Sequence, residues 1–354
     1  MTSALRVPVP RRRWVLAGTA AALALAVAGC TSNTPEEDGT AAAQAPAVAA
    51  TGNDEPGDKV TIAFSAPAAD HGWIGAITKS AVAEAAKYPD VELVQAEATN
   101  DVNLQISQVE QFINDGVDAI VLLPFDGAAL TEVATKAMQA GIPVVNVDRE
   151  FSDPNAARTT VLGDNYGMGV SAGKYICDQL GGKSDAKVAE IAGIDSLPLT
   201  QDRSRGFKDA LGTCGLSVSN RVAADFTVQG GEAAAANLLQ AAPELDAIWN
   251  HDDDQGVGVM AAIENAGRDE FFMVGGAGSK NVMEAIKADN TVLKATVIYP
   301  STQAADGIKL ARLLVQGKSM SDLVEVEVPR TIQLYAPVVT KENVDQYLPT
   351  AFES

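Results

Sequence analysis

The stretch that decides the fold class is residues 118–148, DAIVLLPFDGAALTEVATKAMQAGIPVVNVD. Two short apolar runs, at 118–124 and 142–148, flank residues 130–141, whose apolar positions recur at helical spacing. The runs predict strands that are buried on both faces, and the segment between them predicts an amphipathic helix. A strand–helix–strand unit of this kind gives parallel strands with a helix covering the sheet.

The same alternation extends in both directions from this unit. It begins at VTIAFS (60–65), restarts at TTVLGDN (159–165) and continues to LKATVIY (293–299). A last helical stretch (302–317) precedes the extended run VPRTIQLYAPVVT (328–340). Two consecutive units predict an α/β fold of two Rossmann-like, doubly wound lobes with parallel sheets. Ligands bind at the carboxyl ends of such strands, and two facing edges form a cleft.

The N-terminal residues predict an export signal. Arginines 11–13 are followed by an apolar run, 14–28, that ends in small residues at Cys30. This pattern predicts a signal peptide over residues 1–29. VAGC resembles a bacterial lipobox, which predicts a lipid on Cys30, although an ordinary signal with a chance cysteine is the alternative. Residues 30–58 have few bulky apolar side chains and predict a flexible tether. We therefore expect an extracytoplasmic protein, anchored by lipid to the outer face of the cell membrane.

The net charge argues against one class of partner. The formal net charge is −20, whereas binding to nucleic acid needs clustered lysine and arginine, so a nucleic-acid partner is not expected.

Cys177 and Cys214 both fall in helical stretches of the predicted second lobe. Outside the cytoplasm they either form a disulfide or remain two buried thiols.

Polar and aromatic residues gather just after the predicted strands. These are Asp70, His71 and Trp73; Asp148 and Arg149; Gln201, Asp202 and Arg203; Phe226; His251 and the aspartates after it; and Tyr299. The chain has no GxSxG elbow, no HExxH, and no GxGxxG after the first strand. The sequence therefore carries no signature of catalytic residues, a metal site or a cofactor.

The residue types at these positions suit a ligand rich in hydroxyl groups. Asp148 supplies acceptors and Arg149 a fork of donors, which fit vicinal hydroxyls, although the two side chains could instead form a local ion pair. Trp73 and Phe226 could stack on the apolar face of a sugar or belong to the core.

The stretch NHDDDQGVG (250–258) contains one of the two histidines of the chain. Its acidic spacing does not match a calcium-binding EF-hand loop. We predict that Asp252 accepts hydrogen bonds from the ligand, and that Asp253 and Asp254 lie where acids favour a helix N-terminus. His251 either points at the ligand or packs beside the strand.

The chain from about Val60 to about Val339 resembles the type I periplasmic sugar-binding proteins of ABC transporters, the ribose- and galactose-binding group. The resemblance rests on GVDAIVLLP, AGIPVVNVDR, GDNYGMGVSAGKYI, DRSRGFKDAL and LDAIWNHDDDQGVG, in this order. It implies two lobes joined by a three-strand hinge, with residues 59–162 and 300–331 in the first and 163–299 and 332–354 in the second. It also implies a monomer that delivers its ligand to an ABC permease. The alternative is a receptor that hands a sugar or autoinducer-like signal to a membrane sensor.

The ligand contacts of the family transfer to this sequence position by position. They fall on His71, Trp73, Asp148, Arg149, Gln201, Arg203, Phe226, Asp252 and Tyr299. Three positions depart from the ribose-type pattern: Gln201 replaces an arginine, Ala277 an aspartate and Tyr299 a glutamine. These changes predict a less polar pocket than one for ribose, such as a pocket for a deoxysugar or a polyol.

Overall fold

The computed structural model describes residues 53, 55–69, 72–318, 320 and 327–353. From Val60 to Gly163 the chain alternates strands and helices. The elements are β1 (Val60–Ser65), α1 (Gly72–Ala85), β2 (Val91–Gln95), α2 (Val102–Asp115), β3 (Ala119–Leu122), α3 (Gly127–Gln139), β4 (Val144–Val147), a 3-10 turn (Pro154–Ala156) and β5 (Thr159–Gly163).

A second run of the same kind follows directly. Its elements are α4 (Asn165–Leu180), β6 (Val188–Ala192), α5 (Pro198–Thr213), β7 (Val218–Ala223), α6 (Val228–Ala241), β8 (Ala247–Asn250), α7 (Asp253–Ala266), β9 (Phe272–Ala277), α8 (Lys280–Ala288) and β10 (Leu293–Ile298). The chain then adds α9 (Gln303–Val315), β11 (Thr331–Leu334), β12 (Val338–Thr340), α10 (Val344–Tyr347) and a 3-10 turn (Leu348–Thr350).

The strands form two six-stranded sheets, one in each lobe. The first sheet has the order β11-β5-β4-β3-β1-β2, and the second has the order β12-β10-β9-β8-β6-β7. All pairs are parallel except β10 with β12. The predicted fold class, two Rossmann-like α/β lobes, is confirmed. Within the described residues the chain passes between the lobes after β5, after β10 and after β11.

One predicted boundary falls inside a strand. The first lobe was expected to end at residue 331, but all of β11 pairs with β5 in the first sheet. The change of lobe therefore lies between Leu334 and Val338. The extended run 328–340 has strand character throughout, so its sequence does not indicate where it leaves one sheet for the other.

Each sheet is covered by helices on both faces. In the first lobe α1 and α9 pack together on one face, while α2 and α3 cover the other. In the second lobe α4 packs on α5 and α6 packs on α7. Gly169 allows α4 to approach α5 closely, because a Cβ atom there would lie 2.0 Å from the backbone oxygen of Arg203. Gly169 and Gly173 of GMGVSAG (167–173) thus serve helix packing, whereas Gly167 lies against Asp164, which caps α4.

A disulfide joins Cys177 of α4 to Cys214, the residue that ends α5, with a Cα–Cα distance of 6.1 Å. Of the two states open to these cysteines, the structure has the bonded one. Closure of a loop of this length stabilises a fold by roughly 3–4 kcal/mol, because it restricts the unfolded chain. The bond ties together the two helices that carry Arg203 and Asn165.

The last residues of the predicted tether are held against the first lobe. Arg312 of α9 donates to the backbone oxygens of Asn53 and Glu55, and Gly57 N donates to Asp90 Oδ2 at 2.6 Å. The prediction of a tether through residue 58 therefore extends too far, because buried polar groups of the lobe fix this segment. Cys30 and the signal-peptide residues lie outside the described residues. No described helix is long and apolar enough to cross a membrane.

Candidate functional site

A small cavity lies where the strand ends of the two lobes face each other. Its volume is about 30 Å³. It is lined by Trp73, Asp148, Arg149, Leu199, Arg203, Phe226, Asp252 and Tyr299. Because side chains from both lobes close around this space, the conformation is that of a closed cleft.

A larger cavity opens beside the small one. Its volume is about 590 Å³, and its lining shares Asp148, Arg149 and Leu199 with the inner cavity. Phe125, Phe151 and Pro198 also line it. Because the two cavities share lining residues, they lie side by side.

Asp148 and Arg149 follow β4 in an unusual backbone conformation. Asp148 has a φ of 64°, in the left-handed region that costs energy for most residues with a Cβ and that is concentrated at functional sites. The Arg149 side chain donates to the backbone oxygen of Phe125 at 2.8 Å. No ion pair within 4 Å joins Asp148 to Arg149 in the described part of the chain, so the two side chains present separate groups to the cavity.

Tyr299 is fixed above Asp148. Its hydroxyl donates to Asp148 Oδ1 and accepts a hydrogen bond of 3.1 Å from Asn165 Nδ2. Burial and the neighbouring Asp148 carboxylate raise the pKa of the Tyr299 hydroxyl well above its usual range. Tyr299 therefore stays protonated and links the hinge to the first lobe.

Arg203 connects the hinge to the second lobe. Its Nε donates to Asn165 Oδ1 at 2.9 Å, and its Nη1 donates to the backbone oxygen of His251 at 3.2 Å. The guanidinium lies 4.5 Å from the centre of the Tyr299 ring, within the range of a cation–π interaction. The positively charged Arg203 guanidinium thus lies at the wall of the cavity, and these contacts hold it in one orientation.

Trp73 closes the cavity from the first lobe. Its indole Nε1 donates to the backbone oxygen of Tyr299 at 3.2 Å, and its ring centre lies 5.4 Å from that of Tyr299. Its backbone N–H donates to Asp254 Oδ2 at 3.0 Å. This last bond joins the two lobes directly, since Trp73 belongs to α1 and Asp254 to α7.

Phe226 closes the cavity from the second lobe and also has a positive φ, of 68°. Its backbone N–H donates to Gln255 Oε1 at 3.1 Å. The ring lies against Gly193, where a Cβ atom would come within 2.0 Å of the ring carbons. Glycine at 193 is therefore a condition for the placement of this aromatic side chain.

The three aspartates after β8 have three different roles. Asp252 caps α7 by accepting from the backbone N–H of Gln255 at 3.0 Å, and it lines the cavity. Asp253 is fully buried and accepts from the backbone N–H groups of Gly276, Gly278 and Ser279 and from Thr296 Oγ1. Burial raises the pKa of Asp253 to about 8. Asp253 therefore joins α7 to β9 and β10 instead of facing a ligand.

His251 packs beside the strand and does not line the cavity. Its side chain is fully buried, its Nε2 lies 2.9 Å from Glu190 Oε1, and its ring centre lies 4.1 Å from that of Trp249. Burial lowers the pKa of His251, although the Glu190 carboxylate opposes that shift. Of the two predicted alternatives for His251, the structure therefore has the one in which it packs beside the strand and does not point at the ligand.

The structure brings most of the predicted ligand residues to one cavity, but it does not bring Gln201 there. Gln201 is exposed, and its side chain donates to the backbone oxygen of Asp195 at 3.1 Å. Gln201 and Arg203 are two positions apart on α5, so their side chains point in nearly opposite directions. Leu199, four positions before Arg203, shares its face and lines the cavity instead. His71 lies outside the described residues.

Two residues that the sequence did not single out as ligand contacts also organise the site. Asn165 begins α4 at the first crossover and hydrogen-bonds to both Tyr299 and Arg203. Asp254 bonds across the cleft to Trp73. The helical spacing of α5 could have identified Leu199, whereas no local signal distinguishes Asn165 or Asp254. The described residues contain no cluster of three or more side chains that could hold a metal ion.

With this geometry, comparison with known proteins identifies the family. Residues 62–319 match the family described as "Periplasmic binding protein domain". The chain belongs to this family. It is 33% identical over 237 residues to the ribose import binding protein RbsB of Bacillus subtilis, a match that covers 65% of this chain and 75% of that protein. It is 28% identical over 269 residues to the xylitol-binding protein of Mycolicibacterium smegmatis, covering 73% and 72% of the two chains.

A solved structure shares the architecture. An ABC transporter solute binding protein from Bacillus halodurans with bound myo-inositol superposes with a TM-score of 0.74 at 26% identity. The match covers 83% of this chain and 98% of that one. The family and these relatives consist of binding proteins, which confirms the prediction of a binding protein and not an enzyme.

The bond between Trp73 and Asp254 gives a first testable prediction. Replacing Asp254 by asparagine removes the negative charge but keeps an acceptor, and a charged hydrogen bond contributes about 1–1.5 kcal/mol more than a neutral one. We expect Asp254→Asn to raise the ratio of open to closed molecules about five- to tenfold without ligand. Small-angle X-ray scattering of the unliganded protein should then give a larger radius of gyration than the wild type.

The matched control is Asp225→Asn, in the same lobe. Asp225 is exposed, and its carboxylate accepts hydrogen bonds from Thr227 within its own local turn, which asparagine also supports. Scattering curves for Asp254→Asn that superpose on those of the wild type and of this control would show that the Trp73 bond does not hold the lobes together.

Proposed function

We propose that the protein captures a monosaccharide or a related polyol between its two lobes and delivers it to an ABC importer. The observation that carries this proposal is the cavity at the facing strand ends, in a chain that belongs to the periplasmic binding protein family. Carboxylates, guanidinium groups and aromatic rings from both lobes line this one space.

The chemistry of the lining suits such a ligand. Asp148 and Asp252 supply acceptors for hydroxyl protons, while Arg149 and Arg203 supply donors for hydroxyl oxygens. Trp73 and Phe226 offer apolar faces for the C–H surface of a sugar ring. A few charge-assisted hydrogen bonds and two stacking faces are enough for micromolar affinity, about −8 kcal/mol.

The relatives support the same ligand class. Those named above are a ribose import binding protein, a xylitol-binding protein and a solute binding protein with bound myo-inositol. All three ligands carry several hydroxyl groups on a small carbon skeleton. Because side chains from both lobes enclose the cavity, a ligand of this size enters when the lobes move apart at the hinge, and the lobes then close on it.

The location and partners belong to the same proposal. A signal peptide over residues 1–29, lipid on Cys30 and a tether after it would hold a monomeric binding protein near the outer face of the membrane. The pattern of basic, apolar and small residues before Cys30 supports this proposal. The partner would be an ABC permease, which receives the ligand when both lobes dock on it.

A thermal-shift screen tests the proposed function. The purified chain without residues before Cys30 is heated with each member of a panel of sugars and polyols, including ribose, xylitol and myo-inositol. Because a ligand that binds only the native state raises the melting temperature, at least one of them should do so, and it should be recovered chemically unchanged. A parallel panel of amino acids is the control. Shifts with amino acids alone, or with none of the sugars and polyols, would contradict the proposal.

A further inference from the structure

Tyr299 lines the binding cavity, and its hydroxyl is bonded to Asp148, which lines the same cavity. It donates to Asp148 Oδ1 and accepts from Asn165 Nδ2 at 3.1 Å. Asp148 is the first-lobe carboxylate that, in the proposed function, accepts protons from ligand hydroxyls. One of its oxygens is therefore bonded to a hydroxyl group that the protein itself provides.

The Tyr299 side chain is packed tightly on several sides. Only 3% of the residue is exposed. The Arg203 guanidinium lies 4.5 Å from its ring centre, and the backbone of Gly163 approaches so closely that a Cβ atom there would lie 2.1 Å from Cε2. A rotated ring would lose these contacts and both hydrogen bonds of its hydroxyl group.

The position of Tyr299 in the chain places its ring between the two lobes. Tyr299 directly follows β10, where the chain crosses between the lobes. Hinge residues absorb the change of backbone angles when lobes separate. The contacts with Gly163 and Arg203 therefore fix the ring in the closed cleft, which is the state that holds the ligand.

We propose that Tyr299 is a specificity-determining residue whose hydroxyl fills one hydroxyl subsite of the cavity. This inference rests on the proposed function, binding of a sugar or polyol in the same cavity. A ligand hydroxyl directed at this subsite would meet the Tyr299 oxygen instead of Asp148. That oxygen already accepts from Asn165 and is neutral, so the ligand group would exchange a charged acceptor for a weaker one, which weakens binding. The preferred ligand class therefore carries hydrogen in place of a hydroxyl at the position facing Tyr299, as a deoxysugar or a deoxypolyol does.

Matched ligand pairs test the inference by calorimetric titration. Each pair differs in one hydroxyl group: D-ribose with 2-deoxy-D-ribose, D-ribose with 5-deoxy-D-ribose, and L-galactose with L-fucose. We expect the wild type to bind the deoxy member of at least one pair about tenfold or more tightly than its partner. Tyr299→Phe removes only the phenolic oxygen, so a ligand hydroxyl can then reach Asp148. The preference in that pair should fall about tenfold or reverse.

The ratio within a pair separates specificity from damage to the fold. A general loss of structure would weaken both members alike and leave the ratio unchanged. The control is Tyr335→Phe, because Tyr335 is 74% exposed and is not among the residues that line this cavity; it should keep the wild-type ratio. If circular dichroism shows that Tyr299→Phe is not folded, the affinity ratios of the wild type for the two members of each pair decide whether the inference holds.

Two results would overturn the inference and leave the proposed function standing. One is a wild type that binds the hydroxylated member at least as tightly in every pair. The other is a Tyr299→Phe variant with unchanged ratios. A wild type that binds no sugar or polyol of the wider panel contradicts the proposed function, and the inference with it.

Discussion

The Asp90→Asn variant is expected to have a free energy of unfolding about 3–5 kcal/mol below that of the wild type, because it leaves a buried guanidinium without its counter-charge. Asp90 and Arg312 are 3% and 2% exposed, and Arg312 Nη2 lies 2.7 Å from Asp90 Oδ2. The guanidinium also lies 4.4 Å from the ring centre of Tyr88. Urea unfolding followed by circular dichroism measures the difference.

The control substitution is Asp289→Asn. Asp289 ends α8 in a left-handed conformation, which asparagine tolerates, and it pairs on the surface with Lys294 and Lys341. Exposed ion pairs add little stability, so this variant should unfold almost as the wild type does. If both variants lost the same free energy of unfolding, the buried pair of Asp90 and Arg312 would contribute no more to stability than an exposed pair does.

The pH dependence of stability gives a second measurement on the same pair. Burial alone would raise the pKa of Asp90, but hydrogen bonds from Arg312, Gln316 and Gly57 outweigh it and hold the pKa well below its usual range. A carboxyl group whose folded pKa is depressed stabilises the fold above its unfolded pKa, about 3.9, and loses that contribution as the pH falls towards the folded value. The difference in the free energy of unfolding between the wild type and Asp90→Asn should therefore have its largest value at pH 6 and become smaller below pH 4.

The Asp148→Asn variant is expected to bind its sugar or polyol about 10- to 100-fold more weakly than the wild type. A hydrogen bond to a charged group contributes about 1.5–3 kcal/mol, and asparagine keeps the size of the side chain but not its charge. Asparagine also tolerates the positive φ of this residue. The measurement is a calorimetric titration with the polyol or sugar that gives the largest thermal shift.

The control for this variant is Asp153→Asn in the same lobe. Asp153 accepts from the backbone N–H of Asn155 at 2.8 Å on the exposed surface, and asparagine caps such a turn equally well. It should retain wild-type affinity. Unchanged affinity in Asp148→Asn, with both variants folded, would place the ligand away from this cavity.

The elements of the fold could be predicted because their signals are local. The runs 118–124 and 142–148 contain β3 (Ala119–Leu122) and β4 (Val144–Val147), since continuous apolar runs must be buried on both faces. The lobe boundary at 331 was wrong because hydrogen bonding to β5, not composition, determines the sheet to which β11 belongs.

The site could be predicted in outline for a topological reason. Parallel strands end at one edge of a sheet, so Asp148, Phe226 and Asp252, each just after a strand, meet at one cavity. The structure does not bring Gln201 to the cavity, because it lies on a helix. There the angle between neighbouring positions decides which side chain faces the cavity. Leu199 shares the face of Arg203 and takes that place.

What the sequence by itself determined is the class of the protein: two α/β lobes, a cleft at their strand ends, and most of the residues that line it. The tertiary structure alone decided how those residues are paired. Tyr299 donates to Asp148, Trp73 bonds to Asp254, and His251 packs against Glu190, pairs separated by 151, 181 and 61 residues. Hydrophobic periodicity reports the burial of a segment within a few turns or strands, and it carries no information on which distant polar group a side chain will meet. The polar residues at the strand ends therefore indicate where a ligand binds, and their partners decide which hydroxyl groups it can carry.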